Sequence, residues 1–133
     1  MASSVVVGIS KRLNAAGIAT LRFNFRGVGT SEGAHDKGDG EVDDALAALT
    51  ALELEDVVDP SRIGIAGYSF GASMALQAVL ESSPALAVFS VACPIGALRA
   101  LSSREILQPK MLILGDHDHD FPVEEFKFLT KRF

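Results

Sequence analysis

The stretch that most constrains the fold is "RIGIAGYSFGASMALQAVLES", residues 62–82, where a β-prone run passes almost directly into a helical pattern. Residues 62–67 form a short apolar run, which predicts a buried strand. Residues 69–82 carry apolar side chains at helical spacing, which predicts a helix that begins where the strand ends. A strand that leads straight into a helix is the first half of a β–α–β unit, so the next strand is expected to lie parallel to it.

The rest of the chain repeats this alternation of strands and helices. Periodicity predicts helices at 4–16, 41–55, 69–82, 96–107 and 123–131, and strands at 18–25, 62–67, 85–92 and 110–115. This order predicts an α/β fold, with a mostly parallel sheet of about four strands and helices on both faces. A length of 133 residues fits a single domain, 1–133.

Composition narrows the classes of partner. The chain has 12 basic and 17 acidic residues, a net charge of -5, and no basic cluster longer than a pair. We therefore expect no nucleic-acid partner and no membrane partner.

One cysteine, Cys93, excludes an internal disulfide. The sequence shows neither a targeting segment nor an apolar run of the ~18 residues that span a membrane, so a cytoplasmic location is expected.

The sequence "GYSFG", residues 67–71, has the pattern G-x-S-x-G at the predicted junction of strand and helix. This context is typical of a nucleophile elbow, in which a sharp turn exposes a serine hydroxyl above the sheet. Ser69 is the candidate nucleophile, and the backbone N–H of Phe70 is the candidate oxyanion donor. Gly67 and Gly71 are expected to leave room for the tight turn and for close helix packing. The alternative is that Ser69 only caps the helix.

Three blocks in order resemble the α/β-hydrolase superfamily, specifically its cap-less esterase and dienelactone-hydrolase-like branch. They are "GIATLRFNFRGVGTSEG", "RIGIAGYSFGA" and "PKMLILGDHDHDFP". The resemblance implies a partial α/β-hydrolase fold. It also implies a serine hydrolase that cleaves small acyl esters through an acyl-enzyme on Ser69. A small-molecule ester is then the expected partner, and no cofactor is expected. The resemblance further implies that Asp118, three residues after Gly115, is the acid that orients a catalytic histidine.

The loop "GDHDHDFP", residues 115–122, allows other interpretations. Asp116 and Asp120 are weaker candidates for the acid. His117 and His119 are expected to be solvated, and not to replace the catalytic histidine, because neighbouring side chains on an extended loop diverge. A metal-binding module at 116–120 is a third interpretation, since histidine and carboxylate suit Zn or Mn. We expect no metal, because one short loop rarely supplies a complete set of ligands.

Four other features are expected to be structural. The spacing of "GVGTSEG" does not match a dinucleotide-binding loop, so no cofactor is expected there. Arg26 is expected to be structural, and His35 to be a surface-loop residue. Cys93 is expected to be a small buried group and not a nucleophile.

The resemblance also implies parts that this chain does not show. In the family, a strand and a loop with a second oxyanion donor precede the first helix, and the catalytic histidine follows the acid. No histidine here is assigned that role, so a non-catalytic hydrolase-like domain that associates with another chain is the second interpretation. The family's missing strand lies between 18–25 and 62–67. We therefore predict either that these two strands pair directly or that a second copy fills the gap in a homo-oligomer.

Overall fold

The computed structural model describes residues 3–81, 84–116, 122–131 and 133. Within these residues the helices are α1 (Ser4–Ala15), α2 (Asp39–Glu53), α3 (Phe70–Leu80), α4 (Ile95–Leu101) and α5 (Val123–Thr130), and the strands are β1 (Ile65–Tyr68), β2 (Val88–Val91) and β3 (Lys110–Ile113). A short 3₁₀ turn, Pro60–Arg62, precedes β1, and the Asp59 side chain caps it. All five predicted helices are therefore present. The ends of four of them differ by at most two residues, whereas α4 ends at Leu101 and not at 107, so the second half of that predicted helix is wrong.

The three strands form a parallel sheet in the order β1-β2-β3. The register aligns Ala66 with Phe89, and Phe89 with Met111, so these three side chains lie in one row on the same face. Helix α3 packs on the other face, where Gly67 is buried against it. Helix α1 lies beside the first face. The predicted fold class, a parallel sheet with helices on both faces, is confirmed.

The prediction of a strand at 18–25 is wrong, because these residues join no sheet among the described residues. The predicted direct pairing of this segment with β1 is wrong as well, so the sheet has three strands and not four. Leu21 and Phe23 of this segment are 47% and 43% exposed. The physical reason is that a strand needs a hydrogen-bonded neighbour. The resemblance implies another strand between this segment and β1, and among the described residues β1 pairs with β2 alone.

The main core lies between the sheet and the helices α3, α4 and α5. Its fully buried side chains include Leu76, Leu98 and Ile106. A smaller cluster joins α2 to α3 through Val42, Ala45, Met74 and Ala78, with Phe25 packed against it. These two clusters fix α3 against the sheet, and α3 begins at the residue that follows Ser69.

The face of the sheet that carries Ala66, Phe89 and Met111 is only partly covered. A groove of about 940 Å³ lies along it, and Val6, Ile9 and Leu13 of α1 line the opposite side. Met111 is 58% exposed. Among the described residues, β1 pairs with β2 alone, so its other edge borders this groove. The groove therefore combines an apolar floor with an open strand edge.

In the part of the chain that the structure describes, no helix is both long enough and apolar enough to cross a membrane.

Candidate active site

Ser69 lies at the carboxyl end of β1, where the strand gives way to α3. Its backbone N–H donates to the carbonyl of Val91 at 2.9 Å, which extends the β1–β2 ladder by one residue. Ala92 in turn donates to the carbonyl of Ile113 at 2.8 Å. The ends of all three strands therefore lie side by side at one edge of the sheet. This is the edge at which open α/β sheets bind ligands.

The backbone of Ser69 is strained. Its φ is +53° and its ψ is -119°, a conformation that residues with a Cβ rarely adopt. The serine is the N-cap of α3, but within the described residues its hydroxyl makes no capping hydrogen bond, and the residue is partly exposed. The geometry therefore matches a nucleophile elbow better than the alternative of a simple helix cap.

The two elbow glycines differ in the reason for their presence. A Cβ built on Gly67 would overlap the carbonyl of Gly71 and would lie 2.5 Å from the backbone nitrogen of Ala72. A Cβ on Gly71 would meet only the ring of Phe25, at 3.9 Å, which is ordinary contact. The predicted need for space is therefore confirmed at Gly67, while at Gly71 it is wrong, because a Cβ there would make only an ordinary contact with Phe25.

The first turn of α3 leaves a backbone donor beside Ser69. The carbonyl of Ser69 accepts hydrogen bonds from Ala72 at 2.9 Å and from Ser73 at 3.3 Å, which closes the turn. The N–H of Phe70 has no acceptor among the described residues, as expected for the first N–H of a helix. The role of Phe70 as an oxyanion donor stays a prediction, which this geometry allows.

The ring of Phe70 lies between two other rings. Its centroid is 5.5 Å from that of Phe25 and 5.5 Å from that of His35, both in edge-to-face geometry. The imidazole of His35 donates through Nδ1 to Oε1 of Glu41 at 2.5 Å. His35 is exposed, as expected, with 62% of its side chain accessible. Its contacts with Phe70 and Glu41 were not predicted from the sequence.

Glu41 is fully buried, and its carboxylate is held from two sides. The backbone N–H of Asp36 donates to Oε1 at 2.9 Å, and that of Gly38 donates to Oε2 at 2.8 Å. Burial alone would raise the pKa of Glu41. The hydrogen bonds from the backbone of Asp36 and Gly38, from its own backbone and from His35 outweigh this effect, so the net pKa is below its usual value. The carboxylate therefore remains charged although it is enclosed.

Arg26 pairs with Asp44 of α2. The guanidinium donates to the carboxylate through Nε and Nη2, the latter at 2.8 Å, and the backbone N–H of Arg26 adds a third bond at 2.8 Å. This bidentate contact fixes Arg26, at the start of the loop that precedes α2, to that helix. The sequence-based expectation that Arg26 is structural is confirmed.

Cys93 is 1% exposed, and burial raises the pKa of its thiol to about 11. A thiol with so high a pKa carries almost no thiolate at neutral pH, so it is a poor nucleophile. The prediction of a small buried group is confirmed.

The predicted acid, Asp118, lies outside the described residues, as do His117, His119 and Asp120. Asp116 is described and lies in the turn that follows β3. The predictions for this loop, including the metal-binding interpretation, therefore stay predictions. Among the residues that the structure does describe, no group of three or more His, Cys, Asp or Glu side chains could hold a metal ion.

Comparison with known proteins identifies the family. The sequence profile of the prolyl oligopeptidase family matches residues 9–105. The structure is similar to an alpha-beta serine hydrolase homologue from Coxiella burnetii, with a TM-score of 0.83 and 35% sequence identity over 96% of this chain and 60% of that one. The resemblance to the α/β-hydrolases that the sequence indicated is confirmed.

Two curated relatives show how much of a longer protein the chain matches. An uncharacterized protein of Rickettsia prowazekii is 33% identical over 99% of this chain and 56% of its own length. The acyltransferase drtE of Aspergillus calidoustus is 37% identical over 56% of this chain and 25% of its own length. The chain therefore spans at most about half the length of these relatives.

Proposed function

Because the chain belongs to the prolyl oligopeptidase family of α/β-hydrolases, we propose that it is a serine hydrolase that cleaves esters of small acyl groups through Ser69. The observation that carries this proposal is the strained backbone of Ser69, with φ at +53° and a hydroxyl free of capping contacts to the described residues. Strain of this kind costs about 1–3 kcal/mol, and strained residues cluster at active sites.

The proposed reaction begins when the Ser69 hydroxyl attacks the carbonyl carbon of the ester. A bond forms between Oγ and that carbon, the serine proton passes to a base, and the carbonyl oxygen becomes negatively charged. The N–H of Phe70, at the positive end of the α3 dipole, stabilises this charge. The carbon–oxygen bond to the leaving alcohol then breaks, and the base returns its proton to that alcohol. Water repeats the sequence on the acyl-enzyme and releases the acid.

The base in this scheme is an imidazole that Asp118 orients. The described residues include no imidazole hydrogen-bonded to Ser69, and the resemblance places the family's histidine beyond the acid. In another serine hydrolase, loss of the histidine costs on the order of 10⁶ in rate. The proposal for this chain therefore centres on the nucleophile and the oxyanion donor. The acyltransferase among the relatives agrees with an acyl-enzyme, since acyl transfer to water or to another acceptor uses the same intermediate.

The proposal is tested by hydrolysis of p-nitrophenyl acetate. We expect a rate above the uncatalysed background in the wild type, and loss of that rate in Ser69→Ala. The matched control is Ser103→Ala, which removes an exposed serine remote in sequence from the elbow and should leave the rate unchanged. Equal rates in the wild type and Ser69→Ala would contradict the proposal.

A second candidate function is a non-catalytic domain that associates with another chain. It is favoured by the open edge of β1 and by the apolar groove along the sheet, both among the described residues. Ester hydrolysis that depends on Ser69 would count against it. Absence of such hydrolysis, together with stable self-association, would favour it over the first.

A further inference from the structure

His35 lies beside the elbow although it is far from it in sequence. Its imidazole packs edge-to-face on Phe70, the residue that follows Ser69, with 5.5 Å between ring centroids. The same imidazole is 62% exposed. One side of the ring therefore packs on Phe70, and most of the remaining side chain is exposed to solvent.

Glu41 fixes the orientation and the tautomer of this imidazole. The carboxylate is fully buried and is held by the backbone N–H groups of Asp36 and Gly38, so it cannot turn away from His35. A carboxylate that accepts from Nδ1 keeps the proton on that nitrogen. In the neutral imidazole, Nε2 is then a hydrogen-bond acceptor. Nε2 has no hydrogen-bond partner among the described residues.

The position of His35 argues for a binding role and against a role as the base. A general base must come within about 2.6–3.2 Å of the proton that it takes. Within the described residues, His35 makes no hydrogen bond to Ser69, and the contact between the two runs through the side chain of Phe70. An oriented acceptor that packs on the residue after the nucleophile, but makes no hydrogen bond to the nucleophile itself, is suited to hold a part of the substrate that does not react.

We propose that His35 forms a polar subsite beside the elbow, where Nε2 accepts a hydrogen bond from a hydroxyl group on the substrate's acyl part. The preferred substrates are then small hydroxyacyl esters. This inference rests on the proposed function, because it assumes that the acyl group lies at Ser69. His35 acts here on binding and specificity, while Glu41 positions it.

Boronic acids test the subsite, because a boronic acid can form a tetrahedral adduct with a nucleophilic serine. We would compare 3-hydroxyphenylboronic acid with phenylboronic acid by calorimetric titration. The wild type should bind the hydroxylated ligand about 3–10-fold more tightly, the value of one partly exposed hydrogen bond. His35→Phe keeps a ring against Phe70 but lacks Nε2, so it should bind both ligands equally. Ser69→Ala should bind neither ligand.

The outcomes separate this inference from the proposed function. Equal binding of the two ligands by the wild type, or a preference that persists in His35→Phe, would overturn the subsite and leave Ser69 as the nucleophile. If Ser69→Ala binds as well as the wild type, or if the wild type binds neither ligand, the proposed function fails and the subsite fails with it. Should His35→Phe not fold, the imidazole ¹⁵N shifts of the wild type give a second measurement. The Nε2 shift should move more with the hydroxylated ligand, and equal movement would overturn the subsite.

Discussion

Gly67 packs so closely against the carbonyl of Gly71 that no side chain fits between strand β1 and helix α3. We predict that Gly67→Ala lowers the free energy of unfolding by about 2–3 kcal/mol, because the new Cβ must displace backbone. Gly71→Ala is the matched control. Its Cβ has room, and alanine favours a helix by about 0.5–1 kcal/mol, so stability should be unchanged or slightly higher. Urea denaturation of both variants measures this, and equal losses would contradict the packing.

The strain at Ser69 gives a second prediction. Glycine adopts a φ of +53° without a Cβ penalty, whereas alanine keeps the penalty. The free energy of unfolding of Ser69→Gly should therefore be about 1 kcal/mol larger than that of Ser69→Ala, although both variants lose the hydroxyl. The comparison isolates the backbone from the side chain. If Ser69→Ala is the more stable of the two, the conclusion that the backbone of Ser69 is strained is wrong.

The Arg26–Asp44 pair predicts a dependence of stability on pH. The hydrogen bond from Arg26 lowers the pKa of Asp44 in the folded state. A carboxyl whose pKa is depressed by folding adds stability above its unfolded pKa, and that stability is lost as the pH falls through the folded pKa. Asp44→Asn should therefore lower the free energy of unfolding at neutral pH. That free energy should then decrease less than in the wild type as the pH falls.

Asp56→Asn, which removes an exposed carboxylate outside this pair, is the control for that experiment. Its unfolding free energy should follow the wild-type pH curve. Denaturation curves recorded from neutral pH to about pH 2 supply the comparison. An Asp44→Asn curve that runs parallel to the wild type across the acid range would show that the pair adds no pH-dependent stability.

We also propose that the apolar groove associates with a second copy of the chain. The row of Ala66, Phe89 and Met111 is exposed to varying degrees, and the neighbouring edge of β1 is unpaired among the described residues. Open edges and apolar faces of this kind recruit other strands. Sedimentation velocity should show association that increases with protein concentration. Met111→Glu, which places a charge in the row, should weaken it.

Leu107→Glu is the control for surface charge, since Leu107 is 82% exposed and does not line the groove. It should leave the association unchanged. A wild-type chain that remains monomeric at high concentration would contradict the proposal, as would equal effects of the two substitutions.

The elbow could be predicted from sequence because it is local. The strand, the serine and the helix are consecutive, so periodicity and the glycine pattern predict all three in their order, although the strand begins at Ile65 and not at 62. The strand at 18–25 could not be judged in this way. Its sequence favours a strand, but a strand forms only against a neighbour, and the neighbour is set by the order of the sheet and not by local residues.

The contacts of His35 could not be predicted from the sequence either. The spacing of Gly38 and Glu41 resembles a capping box at the start of α2, and this signal could have indicated the buried carboxylate. Nothing local indicates that the loop returns His35 to the ring of Phe70. That contact depends on the path of the loop, which Arg26 and Asp44 anchor at its start.

The central claim is that Ser69 is a nucleophile, and covalent labelling tests it most directly. The protein would be treated with a fluorophosphonate probe, and the site of attachment would be mapped by mass spectrometry of wild type, Ser69→Ala and Ser103→Ala. We predict one label per chain on the peptide that contains Ser69, in the wild type and in Ser103→Ala, and no label in Ser69→Ala. Equal labelling of Ser69→Ala, or a label elsewhere in the chain, would contradict the assignment.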